Sequence, residues 1–331
     1  MPSKIAVTGA SGHIGNVICR SLIERGYQVR AMYHSDNRSL SGLNLEMVKG
    51  SVLSKDDLSA LVEGCETVIN CAAIISINGD ENGFVFKTNT EGPGNVLSVS
   101  LKKRVRKIIH VSSVHAVHDL PHSIPYDESR SYKTSDNFVY DYSKAMGEQI
   151  ILKESENKPI EVVIVRPSSV IGPFDFKPSK IGKALMDFYH GKMPVVPSGG
   201  YDFVDVRDVS ESICNAILKG QNREVYLLSG KYCSFEELLQ LVYKITQRKM
   251  PGIVVPFWFL KASVPFVKLF SKLTNESPSI TYESISAIKE GHPEMNNSKA
   301  RKALGHDPRP LKESLQDFFE WMYVHNVSYK K

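Results

Sequence analysis

Tyr140-Asp141-Tyr142-Ser143-Lys144 sets a phenol and an ammonium four residues apart at the head of a run with helical spacing. On a helix that spacing puts both side chains on one face. A phenol with an ordinary pKa near ~10 is a poor acid–base group at neutral pH. An adjacent ammonium favours the phenolate and should draw that value toward the working range, as proton transfer coupled to hydride transfer requires. Tyr142 lies too close to Lys144 to share its face, which leaves Tyr140 as the candidate. Val111-Ser112-Ser113-Val114-His115 follows an apolar run and offers a hydroxyl that can donate to an oxygen as negative charge develops there. His115 is a candidate for the wall of a substrate pocket, or a loop histidine with no role.

A second constellation lies near the N-terminus. Thr8-Gly9-Ala10-Ser11-Gly12-His13-Ile14-Gly15 follows the apolar run Ile5-Ala6-Val7 and opens a segment in which Ile14, Val17, Ile18 and Leu22 recur at helical spacing. A glycine cluster between a strand and a helix is the setting of a dinucleotide site. Gly9 permits the tight turn, Gly12 lets backbone approach a pyrophosphate, and Gly15 lets helix pack on strand. The free N–H groups and positive end of the helix then hold the phosphates, so Gly9, Ser11, Gly12, His13, Ile14 and Gly15 are expected to touch the cofactor.

The end of the second strand should choose between the two nicotinamide cofactors. An NAD site normally places a carboxylate there for the ribose hydroxyls. Tyr33-His34 stands in that place, followed by Ser35-Asp36-Asn37-Arg38. His34, Ser35 and Arg38 can offer donors and positive charge to a 2′-phosphate, so NADP is favoured over NAD. Asp36 argues the other way, because it could turn toward the ribose.

These groups need a frame. Strands are expected at Ile5–Val7, Gln28–Tyr33, Leu45–Gly50, Thr67–Cys71, Lys107–Val111 and Val162–Val165. Helices are expected between them, at Asp56–Glu63, Glu91–Leu101 and Tyr140–Glu154. Apolar strands alternating with amphipathic helices indicate an α/β fold, a Rossmann-type doubly wound parallel sheet, here with a smaller C-terminal substrate lobe. The dinucleotide-binding part should span 1–172, with 201–228 returning to it, and the smaller lobe 173–331. Within that lobe a strand is expected at Val225–Leu228 and a helix at Phe235–Thr246.

Thr-Gly-x-x-Gly-x-x-Gly together with Tyr-x-x-x-Lys resembles the extended short-chain dehydrogenases/reductases, the group of NAD-dependent epimerases and dehydratases. The chain looks nearest to the dihydroflavonol-reductase-like and 3β-hydroxysteroid-dehydrogenase-like branch. The resemblance implies Ser113, the second of its pair, as the partner of Tyr140 and Lys144 in a catalytic triad. It also implies cofactor contacts along the sheet edge: at Val52, where Ser51 replaces the family's usual aspartate, at Cys71, Ala72 and Ala73, at Val111, and at Tyr140 and Lys144. Arg166-Pro167-Ser168-Ser169-Val170-Ile171-Gly172-Pro173 is similar to the family turn beside the nicotinamide, which adds Pro167 and Val170. Asn89 resembles the asparagine that steadies the following helix. Asp205 and Asp208 resemble structural caps.

The remaining composition excludes more than it assigns. A net charge of +5 over 331 residues is too mild and too evenly spread for a nucleic-acid surface. The five cysteines are scattered and follow no metal-ligand spacing, so no metal is expected and a reducing cytoplasm fits. Ile253 to Phe270 is apolar but broken by Pro256 and Pro265 and charged at Lys261 and Lys268. It is therefore expected as a pocket lid rather than a membrane span or anchor, with its apolar faces buried against the smaller lobe. The leading expectation is an NADP-dependent oxidoreductase acting on the carbonyl, or the alcohol, of a medium-sized and partly apolar molecule. The alternatives are a nucleotide-sugar epimerase or dehydratase with bound NAD, and a non-catalytic NADP-binding redox sensor. A homodimer through sheet-flanking helices is one possible assembly.

Overall fold

The computed structural model describes residues 3–80, 82–192, 195–248, 253–274 and 281–325. Its elements in chain order are β1 (Lys4–Thr8), α1 (His13–Glu24), β2 (Gln28–Tyr33), β3 (Glu46–Lys49), α2 (Lys55–Val62), β4 (Thr67–Asn70), α3 (Phe84–Lys102), β5 (Lys107–Val111), α4 (Val139–Glu154) and β6 (Glu161–Pro167). After these come β7 (Ser169–Ile171), α5 (Lys180–Tyr189), β8 (Val195–Pro197), β9 (Gly200–Asp205), α6 (Val206–Lys219), β10 (Val225–Leu228) and β11 (Lys231–Ser234). The chain continues with α7 (Phe235–Thr246), β12 (Ile253–Val255), α8 (Phe257–Thr274), α9 (Tyr282–Glu290), α10 (Ser298–Leu304) and α11 (Leu311–Val324).

Seven strands form one parallel sheet in the order β10-β6-β5-β4-β1-β2-β3. Because side chains alternate along a strand, each strand feeds two cores. Ile5, Val7, Ile109, Val111, Val163 and Val165 face Ile18 and Leu22 of α1 and Val209, Ile213 and Ile217 of α6. Their neighbours Ala6, Val68, Ile108, Val162 and Ile164 face Leu58 and Leu61 of α2, Val96 and Leu97 of α3, and Ile151 of α4. Burial on both faces explains why these strands read as continuous apolar runs. The order reverses direction between β1 and β4, and ligands of such sheets bind in the crevice at that point.

A smaller lobe carries its own core of Leu185, Phe188, Phe203, Leu238, Leu239, Leu315, Phe318 and Trp321. It contains a three-stranded sheet, β11-β9-β7, and a two-stranded one, β12-β8. Two helical expectations need correction. α3 begins at Phe84, a full two turns earlier than periodicity suggested, because Asp80 accepts the N–H of Phe86 and starts the helix inside a polar stretch. Around Pro265, α8 buries Leu260 and Val264 but leaves Trp258, Phe259, Phe266 and Leu269 exposed, so its apolar surface is not covered as a lid's would be. The side chains of Lys268 and Phe270 lie outside those described. No helix among the described residues is long and apolar enough to cross a membrane.

Candidate active site

At the crevice the glycine loop packs tightly against its neighbours. Gly9 adopts φ +61°, and a Cβ there would fall 2.7 Å from the Ala72 nitrogen. At Gly15 a Cβ would fall 2.3 Å from the Gly9 carbonyl oxygen. Only glycine permits this close approach of β1, α1 and the segment after β4. Beneath the loop, the Thr8 hydroxyl donates to Asn70 Oδ1 at 2.6 Å and accepts from the Ala72 N–H at 3.2 Å. Asn70 Nδ2 in turn lies 3.0 Å from His110 Nδ1, and burial keeps His110 well below the usual histidine range. Ser11 is held by Ser39, whose hydroxyl donates to its carbonyl at 3.1 Å. The loop faces outward as well, since His13 Nε2 lies 3.0 Å from the Pro173 carbonyl oxygen and Asn16 donates to that of Phe174 at 3.1 Å.

On the other side of the switch point, α4 carries the candidate pair Tyr140 and Lys144. Lys144 is buried and its ammonium donates to the Val111 carbonyl at 3.0 Å, and desolvation pushes its pKa down to about 8. Ser113, two residues past β5, lies near Tyr140 and favours its phenolate, and its Oγ accepts the His115 N–H at 3.1 Å. Ser113 and Tyr140 are thus neighbours, and Lys144, one turn along α4, is anchored to Val111 at the end of β5. The electrostatics differ from the expectation. Burial pushes the Tyr140 phenol above its ordinary range, and the nearby Ser113 hydroxyl does not reverse this. Lys144 is aimed at a carbonyl, and a desolvated phenolate is the more costly form. Tyr140 is therefore a neutral phenol at physiological pH.

The sequence reading missed how rigidly α4 is held. Arg166 and Glu148, both buried, make a bidentate pair with Nε–Oε1 3.0 Å and Nη2–Oε2 2.7 Å. The signal was present: an arginine closing the apolar run of β6 demands a buried carboxylate partner. Asn89 donates to the Ser143 hydroxyl at 2.9 Å and exchanges two hydrogen bonds with Ile74, while Ser143 donates to the Tyr140 carbonyl at 2.7 Å. Gly147 lets α4 lie against α3, since a Cβ there would meet the Asn89 carbonyl oxygen at 2.5 Å. A polar cluster flanks Tyr140. The His115 ring lies 5.9 Å from that of Tyr140, with Nδ1 3.3 Å from Asp141, and Lys133 bridges Asp141 at 2.7 Å and Asp119 at 3.0 Å. Burial disfavours the charged form of His115, but Asp141 outweighs it and raises the pKa.

The other expected contacts spread along the same sheet edge. Cys71, Ala72 and Ala73 follow β4 with partly open side chains or, at Ala73, an exposed one. Pro167 is buried in β6 beside Leu228, and Val170 lies in β7 opposite Val204. Val52 is buried close to Gly92, and its carbonyl accepts from Asn95 at 3.2 Å. His34 is exposed. Arg38 is exposed too, but its guanidinium pairs with Asp36 at 2.7 Å and holds that carboxyl at about 2. Asp36 is thereby tied to Arg38 rather than turned to a ribose. Asp205 caps α6 and Asp208 pairs with Arg309 at 2.7 Å, both structural.

A doubly wound sheet with a glycine loop at its switch point, and a Ser-Tyr-Lys cluster across from it, defines a nicotinamide-dinucleotide enzyme of the extended short-chain dehydrogenase/reductase type. Residues 5–229 match the NAD dependent epimerase/dehydratase family, and the chain belongs to it. It is 29% identical to sterol demethylase protein B of Methylococcus capsulatus over 95% of this chain and 97% of that one. It is 30% identical to a putative dihydroflavonol 4-reductase of Synechocystis over 96% and 94%. Among solved structures, that of gox2253 superimposes with a TM-score of 0.85 at 29% identity, covering 99% of both chains. A UDP-glucose 4-epimerase from Thermotoga maritima superimposes at 0.80 with 21% identity, covering 98% of this chain and 99% of that one, a likeness of fold.

Proposed function

We propose that this enzyme reduces the carbonyl of a medium-sized, partly apolar small molecule, or oxidises the matching alcohol, with NADP preferred over NAD. The observation that carries this is the junction of Ser113, Tyr140 and Lys144 at the end of β5. The cofactor would be held by Gly9, Ser11, Gly12, His13, Ile14 and Gly15 at the phosphates, by His34 and Arg38 near the adenosine ribose, and by the backbone at Val52. Cys71 to Ala73, Val111, Pro167 and Val170 would line its nicotinamide half. Reduced nicotinamide dinucleotide supplies the hydride when bound. Ser113 and Tyr140 donate hydrogen bonds to the carbonyl oxygen, and stabilise charge only as it develops. Tyr140, a neutral phenol, then gives its proton to that oxygen. Lys144 places a positive charge beside the site and lowers the cost of the phenolate left behind.

Residues 1–172 with 201–228 would form the dinucleotide-binding part, apart from β7 and β9, whose sheet belongs to the smaller lobe, and 173–331 the substrate lobe. The free thiols of all five cysteines favour a reducing cytoplasm. A nucleotide-sugar epimerase is less well supported, because no carboxylate ends β2. A redox sensor would not need the Tyr140 and Lys144 pair. The test is a screen of aldehydes and ketones for NADPH oxidation, with NADH alongside and Tyr140→Phe as the control. Reduction by wild type and not by the variant is expected; equal rates from both would overturn the triad.

A further inference from the structure

Beside Tyr140 stands a histidine that the mechanism above does not use. His115 belongs to a single turn, Val114–Ala116, that Ser113 caps, so the backbone that sets one residue sets the other. Its ring stands edge-on to that of Tyr140, with centroids 5.9 Å apart. It also lines a small cavity with Val114, Asp119, Ser168 and Tyr201. Nδ1 lies 3.3 Å from the carboxylate of Asp141, the residue after Tyr140 in α4, and Lys133 bridges that carboxylate to Asp119. Two carboxylates therefore face one ammonium, and an imidazolium at His115 completes the balance. The side chain is 29% exposed, and among the described residues no hydrogen bond takes Nε2. With Nδ1 committed to Asp141, Nε2 is the atom left to meet a ligand.

We propose that His115 is a specificity-determining residue whose Nε2 donates a hydrogen bond to a second oxygen of the substrate, close to the carbonyl that meets Ser113 and Tyr140. This rests on the carbonyl-reductase reading above. The preferred substrates are then carbonyl compounds that carry a neighbouring oxygen, not isolated ketones. Asp141 orients the ring through Nδ1 and decides what Nε2 can do. A neutral imidazole that keeps its proton on Nδ1, facing Asp141, has only a lone pair at Nε2; an imidazolium donates from both nitrogens. Burial disfavours the imidazolium, but Asp141 outweighs it and lifts the pKa above its ordinary value, with Lys133 opposing and Asp119 assisting. Tyr140 of α4 faces the ring, Tyr201 and Asp202 of β9 and His292 after α9 line the same cavity, and Glu283 of α9 feels the imidazolium's charge. Below the raised value Nε2 is a donor and the preference is full; above it the donor is lost and the preference goes with it.

The test compares benzil with deoxybenzoin, which share a skeleton and differ by one carbonyl oxygen. Both are reduced with NADPH by wild type, His115→Phe and His115→Gln. Phenylalanine keeps a flat ring without a donor; glutamine returns an N–H close to the place of Nε2. His115→Phe should lower kcat/KM for benzil about tenfold and leave deoxybenzoin within about twofold, and His115→Gln should recover most of the loss. In wild type the ratio of benzil to deoxybenzoin turnover should fall as pH rises above the ordinary histidine range; in His115→Gln it should stay flat. The Lys144 titration acts on both ketones and cancels in that ratio. Equal losses on both ketones, or none on either, would overturn the proposal and leave a merely structural histidine. A ratio that still follows pH in His115→Gln would assign the effect to another group and overturn it too. If wild type reduces neither ketone, the reductase reading falls. The site for the second oxygen is then decided by calorimetric titration of hydrobenzoin and diphenylethanol into the NADPH-loaded protein. Weakening of hydrobenzoin alone in His115→Phe sustains the site, and any other result removes it.

Discussion

The floor beneath Tyr140 and the strand end at Tyr33 are built by opposite rules. α4 is fixed by the buried Arg166–Glu148 pair, by Asn89 reaching Ser143 and by a glycine contact with α3. Residues 33–38 lie at the surface, and the ion pair between Arg38 and Asp36 joins side chains that are 71% and 30% exposed. In the proposed mechanism the first region holds reacting groups where sub-ångström errors cost rate, and low-dielectric contacts fix it. The second is proposed to meet the distal end of the cofactor, and exposed charge there is screened and contributes little to stability. On that reading chemistry is a property of the core, and cofactor preference a property of a few exposed side chains.

The comparison breaks most decisively at Tyr140. Tyr140→Phe removes one oxygen, and turnover of a carbonyl substrate should fall by roughly two to four powers of ten with cofactor affinity nearly unchanged. Next in size is the buried pair. Arg166→Met strands the Glu148 carboxylate and should cost about 3–5 kcal/mol of stability, measured by denaturant unfolding. A loss below about 1 kcal/mol would show that the floor does not depend on it.

Lys144 gives an intermediate effect with a defined sign. Its pKa lies near 8, so the ammonium is present below that pH and lost above it. Carbonyl reduction should therefore decline as pH rises through about 8, and Lys144→Arg should remove that limb because a guanidinium stays charged. An unchanged limb in the variant would assign the titration elsewhere. Smallest is Arg38→Ala, expected to weaken NADPH binding severalfold, to leave NADH untouched, and to leave unfolding within about 0.5 kcal/mol. Weakening of both cofactors alike would erase the distinction between the two regions.

Much of this was legible in the sequence. The glycine loop, the alternation of apolar strands with helices, and the Tyr140–Lys144 spacing are local patterns, and local patterns survive without coordinates. The helix at Phe235–Thr246 was likewise readable, and in the structure Ser234 and Glu237 close its N-terminus as a capping box. Contacts far apart in sequence were not. Nothing local joins Asn89 to Ser143, or Lys133 to Asp119 and Asp141. The Tyr140 pKa was misread for a related reason: proximity on a helix face predicts a charge effect, but only the folded environment sets the desolvation that opposes it. The apolar stretch at 253–270 shows the converse failure, since hydropathy reports what could be buried and not what is.

One seam carries a thermodynamic consequence. His13 and Asn16, at the head of α1, hold the carbonyls of Pro173 and Phe174, which follow β7 of the smaller lobe. The segment proposed to grip phosphates and a segment of the smaller lobe therefore share hydrogen bonds. A dinucleotide that stiffens the first restricts the second, and the cost of ordering that junction falls on whichever ligand arrives first. Reciprocity then requires each ligand to tighten the other's binding by the same factor. Isothermal titration in both orders of addition would measure that factor, and Asn16→Ala should bring it toward one.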